Sequence, residues 1–171
     1  MKNTNEIREE LQAASMDVLP EFINTYEKDK RAGVQKLVET ARKRILALEK
    51  EQKRIEALKV YEKEYEHCGL VCGIDEVGRG PLAGPVVAGA VILPKDCGIL
   101  YINDSKQLSE KKREELYNVI MEQASACAVG YASPERIDEI NILQATYEAM
   151  RDAIGKLELR PDILLNDAVK I

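Results

Sequence analysis

Acidic residues follow two apolar segments that are typical of buried β-strands. Asp75 and Glu76 come directly after residues 70–74, and Asp167 comes after residues 163–166. Because a carboxylate on a buried strand is costly unless a cation or donors compensate it, these acids suggest a functional site. Three such carboxylates would suit Mg²⁺ or Mn²⁺, and a pair of these ions can hold a phosphate for attack by water. The alternative is that the acids only mark strand ends and face solvent, and the pair alone does not exclude it.

The segment after the first acids favours binding of a phosphate or a sugar. Gly78, Arg79 and Gly80 follow the Asp–Glu pair directly. Glycines let a backbone approach a ligand closely, and a guanidinium can donate two hydrogen bonds to phosphate oxygens. A plain hairpin turn rich in glycine and proline is compatible with such a function.

Two other kinds of site are disfavoured. A dinucleotide-binding glycine fingerprint must open a helix, whereas here Pro81 and Pro85 intervene and a β-branched strand follows. A zinc site is disfavoured because Cys68 and Cys72, the closest pair of cysteines, have three residues between them and His67 is the only histidine. The four cysteines are instead typical of reduced thiols in a cytoplasmic protein.

The composition suits one ordinary domain with an extension. The chain has 171 residues, of which 45% are apolar, and it has no Trp and one Phe, so its core must be aliphatic. The net charge of −5 argues mildly against a nucleic-acid binder. The polar N-terminus predicts no secretory signal, and no apolar run is long enough to span a membrane.

A change in composition near His67 predicts a boundary between residues 1–66 and residues 67–171. The apolar spacing of the first part predicts helices over residues 3–14 and 20–28, and one long amphipathic helix from Val34 to Tyr65. The polar face of the long helix is rich in Lys and Arg. That face suits either a solvated surface with intrahelical ion pairs or a surface that follows phosphates.

The second part alternates between strands and helices. The sequence predicts strands over residues 70–74, 86–93, 124–132 and 163–167, and helices over residues 109–120 and 133–157. The second helix has a possible break near Asn141. A helical connection into the last strand implies a mixed sheet covered by helices.

The segment from Gly73 to Val86 resembles the opening signature of the ribonuclease HII family. It reads Gly-Ile-Asp-Glu-Val-Gly-Arg-Gly-Pro-Leu-Ala-Gly-Pro-Val. Three further segments, residues 103–108, 140–146 and 164–167, resemble the family in the right order. The resemblance covers about residues 69–171, and a fourteen-residue match is far more specific than a single short motif.

This resemblance implies a fold, a reaction and a compartment. The fold would be α/β: a ribonuclease H-like mixed sheet flanked by helices, incomplete at its C-terminus and preceded by an all-α N-terminal extension. The enzyme would act in the cytoplasm, in replication and repair. It would hydrolyse the RNA strand of RNA–DNA hybrids and cut 5′ to ribonucleotides in duplex DNA, leaving a 3′-hydroxyl and a 5′-phosphate.

The resemblance also implies roles for individual residues. Asp75, Glu76 and Asp167 would bind two Mn²⁺ or Mg²⁺ ions. Gly78, Arg79 and Gly80 would contact the ribose 2′-hydroxyl and the phosphate at the RNA–DNA junction, where the hydroxyl distinguishes RNA from DNA. Lys106 would contact a phosphate or support the acids, and a solvated lysine at a helix start is the alternative.

The sequence departs from the family pattern at its C-terminal end. The family uses four acids, and this chain ends at Ile171, shortly after Asp167 and before the fourth. The departure suggests a second hypothesis, a truncated and catalytically weak or inactive chain that acts at most as an RNA–DNA junction-binding module. In either case the N-terminal helices would make an auxiliary contact with nucleic acid or with a protein partner.

Overall fold

The computed structural model describes residues 2–80 and 84–166. The chain divides into two compact units, Met1–Glu56 and Ala57–Ile171. The helices are α1 (Thr4–Ala13), α2 (Leu19–Tyr26), α3 (Ala32–Leu58), α4 (Val60–Tyr65), α5 (Glu110–Gln123) and α6 (Pro134–Gly155), and the strands are β1 (Val71–Val77), β2 (Val86–Ile92), β3 (Ala126–Ala132) and β4 (Ile163–Asn166). Short 3₁₀ turns cover Met16–Val18, Glu66–Cys68 and Ser105–Gln107.

The first unit is helical, as the sequence predicted. The Asn3 side chain caps α1 by accepting hydrogen bonds from the backbone of Asn5 and Glu6, and the Glu6 carboxylate accepts one from the Asn3 amide in return. Aliphatic side chains and one aromatic ring form the core: Ile7, Leu11, Leu19, Phe22, Val34 and Ala41. Helix packing around this core, and not helix propensity alone, stabilises such short helices.

The prediction of one helix from Val34 to Tyr65 is wrong. The backbone of Lys59 leaves the helical region, with φ −82° and ψ 18°, and separates α3 from α4. The apolar spacing gives no sign of this break because its steps of three and four continue from Ile55 through Leu58 to Tyr61.

The second unit contains a four-stranded mixed sheet. The strand order is β3-β2-β1-β4, in which β1 pairs antiparallel with β2, β2 pairs antiparallel with β3, and β1 pairs parallel with β4. The mixed sheet, its flanking helices and the helical N-terminal region confirm the fold class expected from the sequence.

Helix α6 covers one face of this sheet. Alternate residues of β2 are buried in the core with small residues of α6: Val86, Ala88, Ala90, Ile92, Ala145, Ala149 and Ala153. At Gly130 on β3, an added Cβ would lie 1.9 Å from the Ala149 carbonyl oxygen, so only glycine permits this close approach. Asp75 lies on the opposite face.

Polar caps place the helices of the second unit. The hydroxyls of Ser109 and Ser133 accept hydrogen bonds from the backbone of α5 and α6, as the sequence predicted. Helix α6 is kinked at Asn141, which has φ 67° and whose side chain accepts bonds from the amides of Leu143 and Gln144. Within the part of the chain that the structure describes, no helix is long and apolar enough to cross a membrane.

Candidate active site

Asp75 and Glu76 lie within β1, not after its end. The expectation that they mark the end of a strand is wrong, because pairing continues to Val77 opposite Val87. Successive side chains of a strand point to opposite faces, so Asp75 is exposed while the Glu76 side chain is only 17% exposed. The Asp75 Oδ1 accepts a hydrogen bond of 2.8 Å from the Glu76 amide. A cation held by both carboxylates would therefore lie at the end of β1, not over one face.

The strand register brings β4 next to these acids. Ile74 pairs with Asn166 in the parallel ladder, so the last described residue of β4 lies beside the residue that precedes Asp75. On the other side of β1, Asp75 pairs with Gly89. Asp167, the third acid predicted from the sequence, follows Asn166 and lies outside the described residues.

The loop after β1 holds the three predicted substrate-binding residues. Gly78 has φ +98°, and an added Cβ would lie 2.3 Å from the Pro85 carbonyl oxygen, so the hairpin itself requires glycine there. The Arg79 guanidinium donates a hydrogen bond of 3.0 Å to the Glu76 carboxylate. At Gly80 an added Cβ would meet nothing within 4 Å, so the fold places no such requirement on it.

Lys106 lies on a different loop. It occupies a 3₁₀ turn in which the Asp104 carboxylate accepts a bond from the Lys106 amide at 2.9 Å. The Arg113 guanidinium holds this turn by donating to the carbonyl oxygens of Leu108, at 2.7 Å, and Ser105, at 3.4 Å. Among residues 2–80 and 84–166, no hydrogen bond or ion pair joins the Lys106 side chain to an acid of β1. The structure thus brings together Asp75, Glu76 and Arg79, and leaves Lys106 apart.

An open depression adjoins Asp75. Its volume is about 570 Å³, and it is lined by Leu58, Tyr61, Glu62, Gly73, Ile74, Asp75, Gly89, Val91, Leu165 and Asn166. All of these residues belong to the second unit. The sequence analysis did not identify Tyr61 or the two glycines, since the cross-strand register that places Gly89 opposite Asp75 cannot be read from one strand alone.

The chemistry of the donor atoms suits a hard cation. The carboxylates of Asp75 and Glu76 and the amide oxygen of Asn166 are the kind of ligand that Mg²⁺ and Mn²⁺ prefer. In the described part of the chain, no group of three or more His, Cys, Asp or Glu side chains could hold a metal ion. The described acids therefore provide part of a site, and a further carboxylate is needed to complete it.

Comparison with known proteins identifies similar sequences over nearly the whole chain. Residues 72–171 match the family model described as ribonuclease HII, and residues 3–66 match the model described as the ribonuclease HII N-terminal domain. A ribonuclease HII of Lachnoclostridium phytofermentans is 62% identical over 146 residues, which are 85% of this chain and 58% of that protein. A ribonuclease HII of Enterococcus faecalis is 50% identical over 157 residues, which are 91% of this chain and 62% of that protein.

The chain thus spans about three fifths of the length of these relatives. Among solved structures, the ribonuclease H2 of Pyrococcus horikoshii is 27% identical, with a TM-score of 0.49, and the match covers 59% of this chain and 52% of that one.

Proposed function

Because the chain belongs to the ribonuclease HII family, we propose that it hydrolyses RNA joined to DNA. Its substrates would be the RNA strand of RNA–DNA hybrids and single ribonucleotides embedded in duplex DNA, cut on the 5′ side to leave a 3′-hydroxyl and a 5′-phosphate. The observation that carries this proposal is the hairpin of β1 and β2. One short segment there holds two carboxylates and an arginine within hydrogen-bonding reach of one another.

We propose that Asp75, Glu76 and Asp167 hold the divalent cations. Asp167 directly follows Asn166, and consecutive Cα atoms are about 3.8 Å apart, so the chain itself keeps it close to the end of β4. Two bound Mg²⁺ or Mn²⁺ ions would activate a water molecule and stabilise the charge of the phosphate during in-line displacement. The carboxylates supply the negative charge that holds the ions in place.

The glycine-rich loop would recognise the substrate. The backbone amides of Gly78 and Gly80 can approach the ribose, and the 2′-hydroxyl is the group that distinguishes RNA from DNA. Arg79 would move from Glu76 to a phosphate oxygen, to which a guanidinium can donate two hydrogen bonds. Lys106 would contact a phosphate farther along the strand, since it lies on a separate loop.

The remaining proposals concern the rest of the chain. We propose that residues 1–66 form an auxiliary domain and residues 67–171 the catalytic domain. The basic face of the first part, with Lys36, Lys50 and Lys53 among its exposed residues, supports a contact with nucleic acid. All four cysteines are free thiols, which supports work in a reducing compartment such as the cytoplasm.

Cleavage of a labelled DNA duplex with one ribonucleotide tests this function. The chain should cut 5′ to the ribonucleotide with Mg²⁺ or Mn²⁺ and not with EDTA. Asp75→Asn should abolish cutting, since it removes a charge that holds the cations but keeps an oxygen for the Glu76 amide. Asp138→Asn, which changes an exposed acid of α6, is the matched control and should cut normally.

Two results would contradict the proposal. Cutting that persists undiminished in Asp75→Asn would remove the assigned metal site. A folded chain that binds the duplex but never cuts it would support the junction-binding module without catalysis, an alternative that the comparisons do not favour.

A further inference from the structure

The floor of the depression beside Asp75 is formed by two glycines. Gly73 and Gly89 lie on the open face of the sheet, where Gly89 pairs with Asp75 and Gly73 pairs with Val91. An added Cβ at either glycine would meet nothing within 4 Å. The fold therefore does not need glycine at these positions, and any side chain there would occupy the depression.

Tyr61 stands at the wall of this floor. It lies on α4 and 64% of it is exposed, although an aromatic ring is usually more favourable when covered. Leu58, which is 51% exposed, lines the same wall. A flat floor without side chains and an exposed aromatic wall suit a planar or ring-shaped group, such as a nucleoside.

A second depression continues from the first. It has a volume of about 410 Å³ and shares Glu62, Gly73 and Val91 with it, so the two form one groove along α4. Three lysines line its far part: Lys59, Lys63 and Lys95. Lys95 forms an ion pair of 3.2 Å with Glu66, and both partners are largely exposed, so a phosphate can compete for the lysine.

We propose that this groove holds one strand of the nucleic acid next to the cleaved bond. This inference rests on the proposed function and names a surface that it does not include. The nucleotide beside the cleaved phosphate packs on Gly73 and Gly89 against the ring of Tyr61. The strand then runs along α4, where Lys63 and Lys95 contact its phosphates. Stacking on aromatic rings combined with a basic groove is a common way to hold a single strand.

Fluorescence anisotropy of a labelled DNA duplex with one ribonucleotide, in EDTA to prevent cleavage, tests the groove. Tyr61→Ala should weaken binding about 5- to 150-fold, the range expected for the loss of one stacked base. Tyr61→Phe keeps the ring and should bind normally. Tyr117→Ala removes a tyrosine of α5 that is 59% exposed, outside the groove, and should also bind normally.

Two further variants separate the parts of the groove. Gly89→Val should fold with an unchanged melting temperature, because its side chain enters open space, and yet lose affinity. Lys95→Gln should lower the slope of log affinity against log salt concentration by about one, whereas Tyr61→Ala should leave that slope unchanged.

The outcomes distinguish this inference from the proposed function. Binding by the unchanged chain that Tyr61→Ala and Gly89→Val leave intact would overturn the groove alone. Absence of any binding by the unchanged chain would overturn both proposals. A dimer in light scattering that Tyr61→Ala disperses, with duplex affinity unchanged, would assign the groove to a second copy of this chain and also overturn the inference.

Discussion

The guanidinium of Arg79 lies 3.0 Å from the carboxylate of Glu76, so two residues with different proposed partners contact each other. The arginine neutralises part of the charge that a cation would need. Its side chain is 38% exposed, and an exposed ion pair of this kind is easily exchanged.

Arg79→Gln should therefore strengthen cation binding and weaken binding of nucleic acid. Loss of the positive charge should raise the Mn²⁺ affinity of the chain without nucleic acid about 2- to 5-fold, as expected for an exposed pair. Isothermal titration with Mn²⁺ measures the first effect, and anisotropy of a labelled duplex measures the second. Arg160→Gln, which changes an exposed arginine elsewhere in the second unit, should change neither. An unchanged Mn²⁺ affinity in Arg79→Gln would show that the ion pair does not affect the cation site.

Gly69→Ala should destabilise the start of the sheet. Gly69 has φ +120°, and an added Cβ would lie 2.2 Å from the Asp162 carboxylate, which accepts a bond of 2.8 Å from the Leu70 amide. The backbone strain alone should cost about 1–3 kcal/mol of unfolding free energy. Urea unfolding measures this loss, and Gly98→Ala, where the new Cβ meets nothing within 4 Å, is the control. Equal stability of the two variants would contradict the assigned strain.

Gly130→Ala should have a larger effect, because the new methyl group meets backbone on α6. The added Cβ would lie 1.9 Å from the Ala149 carbonyl oxygen and 2.4 Å from the Ala153 amide nitrogen. The helix would have to move away from β3, at a cost of roughly 3 kcal/mol or more. Gly89→Ala changes a glycine of the neighbouring strand into open space, and its melting temperature should not fall. A Gly130→Ala protein as stable as Gly89→Ala would show that α6 does not pack as described.

Asp29→Asn should change how the first unit responds to acid. The Arg31 guanidinium donates hydrogen bonds to the Asp29 carboxylate and lowers its pKa from 3.8 to about 2. A lowered pKa in the folded state contributes stability above the unfolded value, and this stability is lost as the pH falls from about 4 to about 2. Circular dichroism across this range should show a shallower pH dependence for Asp29→Asn than for the unchanged chain. Glu9→Gln, which changes another exposed acid of the unit, should keep the original dependence. Parallel curves for Asp29→Asn and the unchanged chain would contradict the assignment.

Most of the fold could be predicted from local signals. Ser109 and Ser133 each announce a helix, and the four apolar runs give the four strands because burial and β-branched residues set their period. The positive φ of Asn141 matches the break suspected from the sequence. In contrast, the separation of α3 from α4 at Lys59 has no signal in the apolar spacing.

The candidate site was predicted less completely, for a physical reason. The acids and Arg79 stand together in one short segment, so the sequence alone shows their proximity. The glycine floor depends on the pairing of β1 with β2, and Tyr61 reaches it from a helix outside the conspicuous motif. Such relationships arise from strand register and packing, which a single sequence does not display.

The parallel pairing of β1 with β4 has a consequence for synthesis on the ribosome. Its outermost bond joins Leu70 to Asp162, 92 residues later, whereas β1 and β2 are neighbours along the chain. The β1–β2 hairpin can therefore form early, and Asp75 then lies on a strand whose other edge is unpaired. The nascent chain carries this open edge until β4 emerges, and in that interval it is most exposed to aggregation and most in need of a chaperone.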